Sequence, residues 1–108
     1  MTEPTAPPAP DDLSDASKAL WKAAIWPGIP LCRQAAIESA LRSLDQANEA
    51  AAILKRDGLT TANKDTGVIH AHPATRIEKD ARAAFHRTWA AMGLDNLATK
   101  KPYKFQGN

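Results

Sequence analysis

Residues 31–59, LCRQAAIESALRSLDQANEAAAILKRDGL, and residues 72–94, HPATRIEKDARAAFHRTWAAMGL, are two amphipathic runs that each end in a glycine followed by a leucine. Set on a wheel at about 100° per residue, the first run gathers Ala36, Ile37, Ala40, Leu41, Leu44, Ala47, Ala51 and Leu54 on one arc. Glu38, Arg42, Asp45 and Glu49 fall opposite. Cys32, Ser39, Ser43 and Ala50 make a second strip of small side chains, narrow enough for another helix to approach. The run therefore predicts a long helix over 31–57 with two apolar strips.

Its stop is local chemistry. Lys55 and Arg56 occupy the last turn, where the C-terminal dipole favours cations, and Gly58 supplies the positive φ after which Leu59 can fold back on Leu54. The start is plainer, since Pro30 suits a first turn and no Ser, Thr, Asp or Asn caps it.

A second helix opens at His72-Pro73, because proline is pre-set for a first helical position and keeps the residue before it extended. It closes on Met92-Gly93-Leu94, with Leu94 in reach of Trp89. Ala74, Ile77, Ala81, Ala84, Phe85, Thr88 and Met92 gather on its core side. Arg76, Lys79, Arg82, His86 and Arg87 gather on the other side as a cationic stripe.

Between the helices, 59–62 and 67–70 flank Asn63-Lys64-Asp65-Thr66, a turn composition that predicts two short antiparallel strands. A lone hairpin of this kind is marginal in water, so it must pack on the helices or pair with another chain. The expected fold is mainly α: a short N-terminal helix, then an antiparallel hairpin of long helices with a small β-hairpin between them.

Upstream, Pro4, Pro7, Pro8 and Pro10 stand among alanines and acids, which predicts a disordered leader over 1–12. Ser14 and Asp15 then start a short helix with an apolar stripe of Leu20, Trp21, Ala24 and Ile25, ending at Trp26-Pro27. Its tryptophans anchor it to the long helices. The helical domain is expected over 13–97, followed by a basic flexible tail over 98–108 that mixes Lys100, Lys101 and Lys104 with Tyr103 and Phe105.

Composition narrows the function. The chain has 108 residues, one domain at most, and alanine supplies 22 of its 47 apolar residues, so a monomer would have a thin core. Thin alanine-rich helices with two apolar strips find the missing burial in a neighbour, which predicts a homo-oligomer. The candidate interface is Ala36, Ala40, Ser43, Ala47 and Ala50 with Glu38, Asp45 and Glu49.

One cysteine, Cys32, excludes an internal disulfide and a cysteine-cluster metal site. No apolar run approaches the roughly 20 residues that span a bilayer, so no membrane partner is expected. His70-Ala71-His72 puts two imidazoles on one side of a strand, but no third ligand lies near, and no metal or other cofactor is expected. There is no phosphate-cradling glycine loop, no His-Glu-x-x-His and no nucleophile elbow, so no catalytic residue is assigned and an enzyme is not expected.

The net charge of +2 is small, yet it is unevenly placed. Arg76, Lys79, Arg82 and Arg87 extend over about 16 Å of helix, enough to follow a DNA backbone. The competing reading is a subunit contact, in which the acidic side of a neighbour's long helix complements the stripe. Lys100, Lys101 and Lys104 are further DNA-binding candidates.

Leu20-Trp21-Lys22, the alanine-rich helix ending Leu54-Lys55-Arg56-Asp57-Gly58-Leu59, the hairpin, and His72-Pro73-Ala74 opening a helix that ends Met92-Gly93-Leu94 together resemble the small subunits of phage terminases of the Terminase 4 family. The resemblance spans 13–97, with His72 where asparagine is more usual. It implies a non-enzymatic component of the genome-packaging motor that forms an oligomeric ring, binds double-stranded phage DNA and delivers it to the terminase large subunit, which carries the ATPase and nuclease. It also implies a phage-encoded protein working in the host cell cytoplasm. A small helical phage structural adaptor and a helix-turn-helix regulator remain as alternatives.

Overall fold

A computed structural model describes residues 5–58, 60–62, 67 and 69–94. The chain is mainly helical: α1 (Asp15–Ala24), α2 (Leu31–Asp57), β1 (Thr60–Ala62), β2 (Ile69–Ala71) and α3 (Pro73–Ala91). No helix among the described residues is long and apolar enough to cross a membrane.

The helix ends follow the local signals. Ser14 caps α1, its side chain accepting from the Ser17 N–H at 3.1 Å. Gly58 holds φ 88° and ψ 169° and donates its N–H to the Leu54 carbonyl at 2.7 Å. That backbone region is essentially closed to residues with a Cβ, so the chain leaves α2 by a route only glycine takes freely. Pro73 begins α3, and His72 caps it with Nδ1 accepting the Ala74 N–H at 3.0 Å, the service an asparagine would give. β1 and β2 are antiparallel, with Thr60 opposite Ala71, Thr61 opposite His70 and Ala62 opposite Ile69. Leu59 and the turn at 63–66 lie outside the described residues.

α2 and α3 pack antiparallel. The C-terminal half of α2 meets the start of α3 in a small cluster of Ala50, Leu54 and Ala74. The N-terminal half meets the end of α3 in the main core, where Ile37, Ala40 and Leu41 join Phe85, Trp89 and Leu94, and α1 adds Trp21 and Ala24. Along α2, the buried residues Ala40, Ala47 and Leu54 recur every seven positions, the spacing that keeps a seam facing a partner helix through a slow left-handed wrap. Alanine on that seam lets the backbones approach without a large side chain between them.

Three expectations change at this level. Ala40, Ala47 and Ala50, assigned to a subunit interface, are buried inside the chain against α1 and α3. The face of α3 is rotated toward Trp89 by roughly 45° at 100° per residue. Trp89 is buried with Ala74, Ala81 and Phe85, while Ile77, placed in the core by the wheel, is 44% exposed.

The leader is the third. Residues 5–12, expected to be disordered, lie against the body: the Trp21 indole donates to the Pro7 carbonyl at 2.9 Å and Ala9 packs on the main core. Pro10 to Leu13 closes in a turn, with the Leu13 N–H on the Pro10 carbonyl at 3.3 Å, and Leu13 is buried. Prolines arrive already ordered, so a proline-rich segment has little entropy to lose on a tryptophan despite its low hydrophobicity.

Candidate nucleic-acid interface

The outward side of α3 carries Arg76, Lys79, Asp80, Ala83, His86 and Arg87, each exposed and opposite the buried row of Ala74, Ala81 and Phe85. Arg76 and Arg87 are eleven residues apart, about 16 Å of helix axis and nearly three whole turns, so they lie almost on one line. Lys79 sits beside that line.

The expected stripe is thinner than its charge count. Arg82 turns to the flank, where Nη2 donates to Glu78 Oε2 at 2.9 Å, and both side chains are only about one-third exposed (35% and 30%). It is therefore engaged with its own helix and stands outside the row. Arg76 faces Asp80 at 3.7 Å with both side chains open to water, a contact of little energy that a phosphate can displace. Among the described residues, Lys79 and Arg87 form no salt bridge. Lys100, Lys101 and Lys104 lie outside the described residues.

The acidic side of α2, the partner of the stripe in the subunit-contact reading, is occupied within the chain at Asp45 and Glu38. Asp45 accepts from the Ser14 N–H at 2.8 Å, the Ser14 hydroxyl at 2.6 Å and the Ser17 hydroxyl at 2.6 Å. Its partial burial pushes the carboxyl up, but the hydrogen bonds from Ser14 and Ser17 outweigh that and hold it below the ordinary 3.8. Glu38 accepts from Arg42 Nε at 3.0 Å, and the other face of the same guanidinium grips Asp12 at 2.6 and 3.2 Å. The hydrogen bond with Asp12, followed by that with Glu38, raises the Arg42 pKa further above its ordinary value. Glu49 is exposed, Ala36 and Ser43 are half-buried, and these three alone of the proposed interface set keep both exposure and freedom from the ion pairs and hydrogen bonds of α1 docking.

His70-Ala71-His72 divides into two roles. His70 is exposed on β2, whereas His72 is half-buried, with Nδ1 on the Ala74 N–H and Nε2 3.3 Å from Asp57 Oδ2. Nδ1 as acceptor leaves the proton on Nε2, which donates to Asp57. Hydrogen bonds from Arg56 first and His72 second bring the Asp57 carboxyl down to about 2. No group of three or more His, Cys, Asp or Glu able to hold a metal occurs among the described residues.

Arg33 carried no role in the sequence, yet it ties both ends of the main core together. Its Nη2 donates to the Met92 carbonyl at 2.6 Å, a cation on the last turn of α3, and its guanidinium lies 5.7 Å from the Trp26 ring centre. Nothing local marks it, because its partners are 59 and 7 residues away.

No protein-family model, no curated protein and no solved structure matches this chain.

Proposed function

We propose that this chain is the DNA-recognition component of a phage genome-packaging motor, a terminase small subunit of the Terminase 4 kind. In this reading it assembles as a homo-oligomeric ring, holds double-stranded DNA and passes it to a large subunit carrying the ATPase and nuclease, in the host cytoplasm.

The observation that supports it is the contrast between α3 and α2. Arg76, Lys79 and Arg87 face outward on one side of α3, while Asp45 and Glu38, the acids that would have met them in a neighbouring copy, are held by Ser14, Ser17 and Arg42. A cationic row that would find only Glu49 still open among the three acids of that side is better matched to a polyanion than to another copy of the same chain.

Three cations per chain bind duplex weakly, and a ring multiplies them into avidity. Self-association has apolar material to use: Leu31 is 81% exposed and Trp26 42% exposed at one end of the hairpin, with Ile69 and Ile77 open at the other.

Light scattering on the purified chain, with and without duplex DNA in low salt, tests the reading. The expected result is a discrete assembly of many chains that takes up DNA and releases it as salt rises from 50 to 200 mM, by a factor set by the phosphates engaged. A monomer or dimer that ignores DNA at low salt overturns it and favours the structural adaptor.

A further inference from the structure

We propose that α1 carries a receptor groove for a polyproline-II segment, that the chain's own residues 6–10 are its resident ligand, and that a proline-rich peptide of the same chemistry binds there once that strap is released. The groove lies on α1, apart from the outward row of α3, and the inference does not depend on DNA binding.

Three features of the strap and its seat carry this. The segment Pro7-Pro8-Ala9-Pro10 has prolines at both ends of a four-residue span, each proline fixes its own φ near −65°, and Ala6, Pro7 and Ala9 each precede a proline and are held extended. Polyproline II meets all of these restrictions, and in it backbone carbonyls point out and find no partner within the segment.

The seat matches it. Trp21, 3% exposed, presents a flat ring with one polar handle, and the indole N–H takes the Pro7 carbonyl at 2.9 Å. Lys18 and Lys22 of α1, with Ile25 at its C-terminal cap, face Ala6, Pro7, Pro8 and Ala9 of the strap across an open cleft, so strap and helix together form its walls. An aromatic donor that hydrogen-bonds a proline carbonyl while apolar surface holds the rings is the general mode by which such segments are read.

The charges agree in sign. The strap runs into Asp11 and Asp12, and the groove is flanked by Lys18 and Lys22, with Arg42 gripping Asp12 at 2.6 Å. A ligand of this class is therefore a proline-rich segment followed by acids. The turn at 10–13 joins strap to helix through a short link, so the resident copy competes at an effective concentration in the millimolar range.

The test uses the full chain and a synthetic peptide of residues 2–12. Indole N–H signals of Trp21, Trp26 and Trp89 are followed by ¹H–¹⁵N spectroscopy, the Trp21 signal being assigned by its loss in Trp21→Phe. In the full-length variant Pro7→Ser, Pro8→Ser, Pro10→Ser, the Trp21 signal is expected to shift and exchange faster. Added peptide should restore it, the same peptide with those prolines as serines should not, and the unaltered chain should need at least about tenfold more peptide. An unchanged Trp21 signal in the triple variant overturns the proposal, as does equal binding of the serine peptide or a response confined to Trp26 or Trp89. If the triple variant loses its helical circular dichroism, the unaltered chain decides: a nitroxide-tagged peptide at millimolar concentration should broaden Trp21 selectively, and absence of broadening overturns the proposal.

Discussion

Asp45, midway along α2, closes the N-terminus of α1 through Ser14, accepting both its backbone N–H at 2.8 Å and its hydroxyl at 2.6 Å. The Ser14 oxygen in turn accepts from the Ser17 N–H, and Ser17, fully buried, returns its own hydroxyl to Asp45. One carboxylate thus satisfies three donors at the positive end of a helix dipole. Asp45→Ala is expected to lower stability by about 1.5–3 kcal/mol, the range for losing hydrogen bonds to a charged group. Urea denaturation checks it, and a loss within about 0.5 kcal/mol, the size of an ordinary surface substitution, would show α1 docking on apolar contacts alone.

Acid should act through the same carboxyls. Asp45 and Asp57 both have folded pKa values below their ordinary 3.8, Asp57 at about 2. The unfolded chain then binds protons first on acidification, so their contribution is complete above about pH 4 and is lost as pH falls through the lowered values. Thermal melts should be flat from neutrality to about pH 4.5 and fall below it, and Asp45→Asn should flatten part of that fall. An unaltered slope in Asp45→Asn would place the acid sensitivity elsewhere.

Gly58→Ala separates backbone strain from crowding. A Cβ at Gly58 meets nothing within 4 Å, so the whole effect comes from φ 88° and ψ 169°. The expected loss is about 1–3 kcal/mol with unchanged secondary structure, read by chemical denaturation and circular dichroism. A neutral substitution would mean that α2 can end with ordinary backbone angles.

On α3 the cations should divide into two kinds. Lys79→Ala and Arg87→Ala should each weaken duplex binding similarly on every sequence and reduce the slope of log affinity against log salt by about 1. Arg82→Ala, whose guanidinium is held 2.9 Å from Glu78, should leave that slope unchanged. Titrations at several salt concentrations distinguish them, and an Arg82 effect equal to that of Arg87 would contradict the division.

Where the helices start and stop could be read from neighbouring residues, because each signal acts within a turn of itself. Ser14, Pro73, Gly58 and Gly93 fix caps and reversals through their own dihedrals and donors, and α2 and α3 begin and end where those residues place them. The predominance of helix followed from periodicity, which is also local.

The assignment of faces was a tertiary outcome. A wheel at fixed pitch showed that α2 had two apolar strips but not which of them α1, α3 or a neighbour would cover, so Ala40, Ala47 and Ala50 stood as interface residues when they are core. Trp89 is buried and Ile77 is 44% exposed because Phe85 and Trp89 pack into the core with Ile37, Ala40 and Leu41, partners that a wheel of α3 alone does not contain. Asp45 with Ser14, Arg42 with Asp12 and Trp21 with Pro7 join residues 31, 30 and 14 positions apart. Such pairings depend on which surfaces packing brings together, and that is set by the summed burial of the whole chain rather than by any stretch of it.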